Sequence, residues 1–222
     1  MDQYRSAVAR SSTSALATNK VLRNTYMLLS LTLIFSAVTA GISMLVNPPP
    51  MTGLITSIAA IVLLWFVLPR MANSSAGIGV VFLVTGLLGF GLGPILNAYM
   101  AIDGGKIIGL SLGGTGVIFM GLSGYVLTTR KDFSFLGGFL VVGFLVVLIA
   151  ALANIFMAIP ALQLAISAAV IFIMSGFILY DTSRIIHGGE TNYVMATISL
   201  YISIYNIFVN LLQLLGAFSG DD

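Results

Sequence analysis

Cysteine is absent from this 222-residue chain, and charged residues make up only 7% of it. The lack of cysteine excludes disulfides, thiolate metal sites and cysteine nucleophiles. A water-soluble domain carries about 25% charged residues, so the shortage of charge excludes an ordinary aqueous surface. The formal net charge is only +2, and the few basic residues fit the role of topology determinants. We therefore expect no nucleic acid among the partners.

Long apolar stretches make up most of the chain, since 59% of its residues are hydrophobic. A bilayer core about 30 Å thick is crossed by about 20 apolar residues in a helix. The apolar runs are continuous rather than alternating, which favours helices over a transmembrane β-barrel. The predicted fold is all-α: a polytopic membrane protein with seven transmembrane helices. The predicted spans are 25–46, 52–69, 76–100, 107–128, 135–157, 160–182 and 194–218.

The distribution of basic residues predicts the orientation of the chain, because Lys and Arg accumulate in cytoplasmic loops. Eight of the nine basic residues lie in the N-terminal tail or in the loops after spans two, four and six. Lys106 alone lies on the opposite side. We expect a flexible cytosolic tail at 1–24, a transmembrane domain at 25–218 and a short external tail at 219–222.

One acidic residue falls within a predicted span, and ionisable residues at membrane depth are functional candidates. Asp181 lies near the cytosolic end of span six, with Arg184 three residues later on the same helical face. The pair admits two interpretations. It is an interfacial ion pair that closes the helix, or Asp181 is a buried carboxylate that senses protons or binds a cation.

A stripe of polar residues follows one face of span seven. Its members recur three or four residues apart: Ser199, Ser203, Asn206, Asn210 and Gln213. Such a stripe does not face lipid, so span seven is predicted to be central in the bundle. Hydrogen bonds between helices and the lining of an aqueous cavity are both consistent with this pattern.

Glycines recur at helix-packing intervals in spans three and four. Gly89 and Gly93 form one small-residue pair, and Gly105, Gly109 and Gly113 form a GxxxGxxxG ladder. Small residues allow membrane helices to approach closely. Both sets are therefore predicted to mark helix contacts.

A catalytic interpretation depends on Ser123 and His187. Ser123 lies in a GxSG sequence similar to the nucleophile motif of rhomboid proteases, and His187 is the only histidine. Serine catalysis needs the base within hydrogen-bond reach of the hydroxyl. His187 is predicted to lie in a loop, so an intramembrane serine protease is the least favoured function. His187 and Glu190 would supply only two metal ligands, so no metal site is predicted.

Several segments together resemble the Bax inhibitor-1 family. They are Lys131–Gly138, Tyr180–Ser183, Ile185–Glu190, Ser199–Tyr201 and Asn206–Phe208. The resemblance extends over nearly the whole chain and favours a bacterial branch that modulates the membrane AAA protease FtsH. It implies a non-enzymatic inner-membrane regulator that binds and restrains FtsH, without a cofactor, through a cytosolic tail that the protease engages.

The resemblance also implies an alternative function, because some family members are pH-sensitive calcium leak channels with an aspartate pair. Asp181 matches the first aspartate, and the second falls on Ser203, which carries no charge. Arg70 is a loose positional match to a basic residue that pairs with these aspartates. The alternative is a calcium, cation or proton leak that uses Asp181 and Arg184 near a cytosolic gate.

Overall fold

The computed structural model describes the backbone of residues 2–103 and 105–219, and the side chains from Thr18 onward within those ranges. These residues form nine α-helices, one π-helical segment and no β-strand. The α-helices are α1 (Asp2–Val46), α2 (Met51–Val62), α3 (Leu68–Met71), α4 (Ser75–Gly91), α5 (Gly93–Asp103), α6 (Lys106–Thr129), α7 (Leu136–Met157), α8 (Pro160–Ile186) and α9 (Tyr193–Ser219).

Seven helical stretches in the described part of the chain are long and apolar enough to cross a membrane. They are Thr18–Val46, Met51–Met71, Ser75–Asp103, Lys106–Thr129, Leu136–Met157, Pro160–Ile186 and Tyr193–Ser219. Six of the predicted spans agree with these within four residues at each end, and the first begins seven residues earlier than predicted. The protein is therefore a seven-span helical membrane protein, as predicted.

The predicted boundary of the N-terminal tail is not marked by a break in the helix. Helix α1 passes through residue 24 without a break into the first span. The flexible tail at 1–24 and the separate segment at 219–222 stay predictions, and residues 220–222 lie outside the described ranges.

Helix α9 is the centre of the bundle, as the polar stripe predicted. It packs against α8, α6, α1 and α4. Its buried side chains include Tyr201, Ile207 and Leu212, which are at most 1% exposed. Residues on several sides of α9 are thus covered by protein rather than by lipid.

Two spans are irregular where proline interrupts the hydrogen-bond ladder. In span two, a π-helical turn (Leu63–Val67) precedes Pro69, which has no N–H to donate. In span three, the chain turns at Leu92, and Pro94 occupies the first turn of α5, where a missing N–H is tolerated. Because of this turn, α5 reaches both α1 and α6.

Of the two glycine patterns predicted to mark helix contacts, only the one in span three lies at a contact at each of its positions. A Cβ atom at Gly89 would lie 2.3 Å from the Ser36 carbonyl oxygen, and one at Gly93 would lie 2.0 Å from the Ser43 Oγ. These glycines therefore bring span three against α1, as predicted. A Cβ atom at Gly109 or Gly113 would meet nothing within 4 Å. The predicted packing ladder of span four is wrong at these two positions, which are exposed in the bundle.

The loops after spans two, four and six meet at one end of the bundle. Asn192 Nδ2 donates to the Ala72 carbonyl at 3.0 Å, and His187 Nε2 lies 3.1 Å from the Arg130 carbonyl oxygen. Phe133 N donates to Ser183 Oγ at 2.9 Å. We call this end, formed by residues 18–25, 70–74, 130–135 and 187–192, the basic end. From Lys20 onward, the basic residues other than Lys106 lie at or next to it.

Candidate functional site

Asp181 is buried near the basic end and is held by a neighbouring helix. Its side chain is 7% exposed, and Ser199 Oγ on α9 donates to its Oδ2 at 2.5 Å. A pocket of about 120 Å³ adjoins this contact, and its lining includes Asp181, Arg184, Glu190 and Ser199. The structure thus gathers two acids, a base and a hydroxyl from α8, α9 and the loop between them.

Arg184 lines this pocket without pairing with Asp181. Its Nη2 donates to the Gly189 carbonyl at 3.0 Å and lies 3.5 Å from Glu190 Oε2. Its guanidinium carbon also lies 5.5 Å from the Tyr180 ring centroid. Of the two interpretations of this pair, the interfacial ion pair does not form, because the arginine turns toward the loop while the aspartate turns toward α9.

Ser203 does not contact Asp181 among the described hydrogen bonds. Its Oγ donates to the Ser199 carbonyl at 3.2 Å, one turn back along α9, and the residue is 2% exposed. The resemblance matches Ser203 to the partner of Asp181. The residue that bonds to Asp181 is instead Ser199, one helical turn earlier. Spacing alone did not predict Ser199 as the partner, since it gives no register between α8 and α9.

Arg70 lies apart from this pocket. Its Nη1 donates to the Phe66 carbonyl at 2.5 Å in its own span, and the residue is exposed. The pocket lining does not include it. Arg70, which the resemblance loosely matches to a partner of Asp181, therefore does not lie beside Asp181 in this structure.

The polar stripe of α9 divides into two kinds of contact. Its two ends reach another helix, since Ser199 bonds to Asp181 and Gln213 Oε1 accepts from Gln163 Nε2 and Ser167 Oγ at 2.9 Å. The middle of the stripe bonds to its own helix. Asn206 Nδ2 donates to the Ile202 carbonyl at 2.9 Å, and Asn210 Nδ2 donates to the Asn206 carbonyl at 2.8 Å. Hydrogen bonding between helices thus accounts for the ends only.

Ser123 and His187 are not arranged for catalysis. Ser123 is 3% exposed, and its Oγ accepts from the Tyr26 hydroxyl at 3.0 Å and lies 3.3 Å from Thr182 Oγ1. His187 uses Nδ1 toward the Ser183 carbonyl and Nε2 toward the Arg130 carbonyl. A general base must reach the nucleophile, and the hydrogen bonds of these two residues lead elsewhere. The described residues also include no group of three His, Asp or Glu that could hold a metal ion.

Comparison with known proteins identifies the family of this chain. Residues 18–220 match the family described as "Inhibitor of apoptosis-promoting Bax1". The chain belongs to this family. It is 57% identical over 210 residues to "Modulator of FtsH protease YccA" of Escherichia coli K12, covering 94% of this chain and 95% of that protein. The same figures hold for "Inner membrane protein YccA" of another Escherichia coli strain.

Further relatives in this Bax1 family are also similar along nearly their whole length. A membrane protein of Vibrio cholerae is 50% identical over 208 residues, which is 93% of both chains. A protein of Pseudomonas aeruginosa is 50% identical over 203 residues, which is 91% of both chains. The resemblance to this family in the loop and span motifs is therefore confirmed.

Proposed function

We propose that this protein is an inner-membrane regulator that binds and restrains the protease FtsH. The observation that carries the proposal is the 57% identity to a protein named as a modulator of that protease. The alignment covers 95% of that relative, so no domain-sized part of it lacks a counterpart here. The relative named as an inner membrane protein supports the same membrane for this chain.

The geometry of the polar residues supports regulation rather than catalysis. The serine and histidine that could form a catalytic pair bond to other partners, as described above. Positions 123 and 187 instead hold helices and loops together. The proposed regulator acts by contact with its partner.

The basic end supplies the proposed contact surface. Under the positive-inside rule it lies in the cytoplasm, which places the N-terminus inside and the C-terminus in the periplasm. The N-terminal tail and the loops of the basic end would then face the cytosol together. This orientation and the engagement of the tail by FtsH are parts of the proposal.

Co-purification with FtsH in detergent tests the proposal. The full chain is compared with a chain in which residues 1–17 are replaced by a Gly/Ser linker of equal length. This replacement keeps Val21 and Leu22, which pack against the core, so the bundle itself is unchanged. We expect the full chain to retain FtsH and to slow degradation of a membrane substrate, and the linker variant to lose both effects. No association of the full chain would contradict the function.

A cation or proton leak remains the second candidate, favoured by the pocket beside Asp181. Flux from calcium-loaded liposomes distinguishes it from the first, and a channel would show flux that changes with pH and is lost in Asp181→Asn. The regulator predicts that Asp181→Asn still restrains FtsH. Absence of flux across the pH range would remove the channel function.

A further inference from the structure

An elongated apolar cavity of about 420 Å³ lies between α1 and α6, with α9 as its floor. Its lining on α1 runs from Leu33 to Met44, and on α6 from Ile108 to Phe119. At 1.5 Å per residue, each of these stretches is about 17 Å long. The cavity is therefore a slot that runs along the helices within the membrane-spanning part of the protein.

The slot is closed at both ends. Toward the basic end, the Tyr26 and Phe119 rings lie 6.1 Å apart, and the Tyr26 hydroxyl bonds to Ser123. Toward the opposite end, α5 packs against both α1 and α6, and its Leu96 lines the slot. Access is therefore from the side, between α1 and α6.

The side opening faces the hydrocarbon of the bilayer. Its rim includes Gly41 on α1 and Leu112 on α6, both exposed, with Leu112 58% exposed. The neighbouring exposed residues on α1 are also apolar, as at Val38 and Ile42. A water-soluble ligand does not reach this mouth, whereas lipid surrounds it.

The wall that an occupant meets is mostly carbon. Four of its lining residues carry a hydroxyl, and those of Ser36, Tyr201 and Thr115 are engaged with protein, while the Tyr205 hydroxyl has no protein partner among the described hydrogen bonds. Ser36 Oγ and the Tyr201 hydroxyl bond to each other at 2.6 Å. Thr115 Oγ1 donates to the Ser111 carbonyl at 2.7 Å. Atoms that line a void lose dispersion contacts, and in lipid such packing is a main source of association energy.

The dimensions of the slot suit a lipid chain. Its volume of about 420 Å³ lies within the range of roughly 300–1,000 Å³ that is typical of small-molecule pockets. A single unbranched hydrocarbon chain fits a slot of this volume that is about 17 Å long. Coverage of the mouth by a second copy of the chain is an outcome that the experiment below distinguishes.

We propose that this slot binds one acyl chain of a membrane phospholipid, which enters from the bilayer between α1 and α6. The slot lies in the half of the bundle away from the basic end, where α1 ends and α6 begins. In the proposed orientation, the lipid belongs to the periplasmic leaflet. The bound chain would fill the space between two helices and hold them at a fixed separation.

Photo-crosslinking tests this proposal with the full chain in liposomes that contain a phosphatidylethanolamine with a diazirine on one acyl chain. We compare Gly41→Phe, which places a ring in the mouth of the slot, with Gly113→Phe, which places one on the lipid-facing surface of α6. A Cβ atom at either glycine meets nothing within 4 Å, so neither backbone must move. We expect crosslinks on Leu92, Leu96 and Phe208, which line the slot and are buried from the outer surface, in the wild type and in Gly113→Phe. In Gly41→Phe we expect about tenfold fewer, as when 1.4 kcal/mol of binding energy is lost.

Two results would overturn the proposal. One is equal labelling of the buried slot residues in Gly41→Phe and Gly113→Phe, or labelling of the exposed residues alone, which would mean that lipid contacts only the outer surface. The other is a halved particle mass for Gly41→Phe alone in size-exclusion chromatography with light scattering, which would make the mouth an interface between copies. Native mass spectrometry adds an independent measurement, since the wild type should retain one phospholipid that Gly41→Phe loses.

Discussion

At the scale of single residues, Asp181 depends on a hydroxyl from another helix. Ser199 supplies that hydroxyl, and Ser203 bonds to its own backbone. A hydroxyl that bridges two helices adds to the stability of the bundle, whereas one that returns to its own helix does so much less. The two serines are thus a matched pair, four residues apart on one helix.

We predict that Ser199→Ala lowers the free energy of unfolding by about 0.6 kcal/mol and by no more than about 1.7 kcal/mol, the average and the maximum measured for interhelical hydrogen bonds in a membrane. Ser203→Ala should change it less than Ser199→Ala does, because the Ser203 hydroxyl bonds back to its own helix. Unfolding in mixed micelles of dodecylmaltoside and dodecylsulfate measures both variants. Equal losses would mean that the Asp181 contact adds nothing to stability.

The loop between spans four and five contains a second carboxylate with a defined role. Ser134 N donates to Asp132 Oδ1 at 2.8 Å, and Ser183 Oγ donates to the same oxygen at 3.3 Å. The Ser134 hydrogen bonds first, and then the nearby His187 and the Ser183 hydroxyl, hold the pKa of Asp132 below its ordinary value. Asp132 is fully exposed, so the effect on stability is small.

A lowered pKa in the folded state sets the direction of the pH dependence. The unfolded carboxyl titrates near pH 4, so the ionised form stabilises the fold above that pH. This stabilisation is lost as the pH falls through the lower pKa of the folded state. We predict that the melting temperature of the wild type exceeds that of Asp132→Asn at pH 6, and that the gap closes below pH 4. A gap that does not change with pH would contradict this role.

At the scale of helices, glycine determines how closely α1 and α4 cross. The Ser36 carbonyl lies where a Cβ atom at Gly89 would stand. Gly79, on the same helix, has open space around the same position. One glycine is required by packing, and the other is not.

We predict that Gly89→Ala destabilises the protein by about 1–3 kcal/mol, because the added methyl group forces the two backbones apart. Gly79→Ala should be neutral or stabilising by up to about 1 kcal/mol, since alanine is the better helix former. Thermal unfolding in detergent, followed by circular dichroism, compares the two. A Gly89→Ala variant as stable as Gly79→Ala would show that the helices do not pack so closely.

The elements differ in how far the sequence predicted them, for a physical reason. Hydropathy depends on composition along the chain, so the spans and the central position of α9 were predictable. The register between helices depends on packing across the chain, so the Ser199 partner of Asp181 was not. The Gly109–Gly113 spacing predicted a contact that does not form, because a spacing does not show whether a second helix is present. The interpretation of Asp181 and Arg184 as an ion pair failed for a similar reason. Two residues on the same face of a helix need not touch, because that position does not fix the direction of a long side chain.

At the scale of the whole molecule, the bundle has one basic end and one end where Lys106 is the only basic residue described. This asymmetry is the physical basis of the proposed orientation. We predict that a fluorescent protein fused to the N-terminus lies in the cytoplasm and folds there. Alkaline phosphatase fused after Ser219 should be active in the periplasm. Inactive phosphatase at that position, with a fluorescent reporter there instead, would reverse the orientation.

The ties between the loops of the basic end have a mechanical consequence. Thr197 Oγ1 donates to the Thr25 carbonyl at 3.2 Å, which attaches the start of the first span to α9, and Asn192 attaches the following loop to the loop after span two. Tension applied to the N-terminus would therefore be shared among several helices before any one could be drawn out of the bilayer. An enzyme that pulled on this terminus would have to break these hydrogen bonds and extract several helices together, so its translocation along the chain would stop.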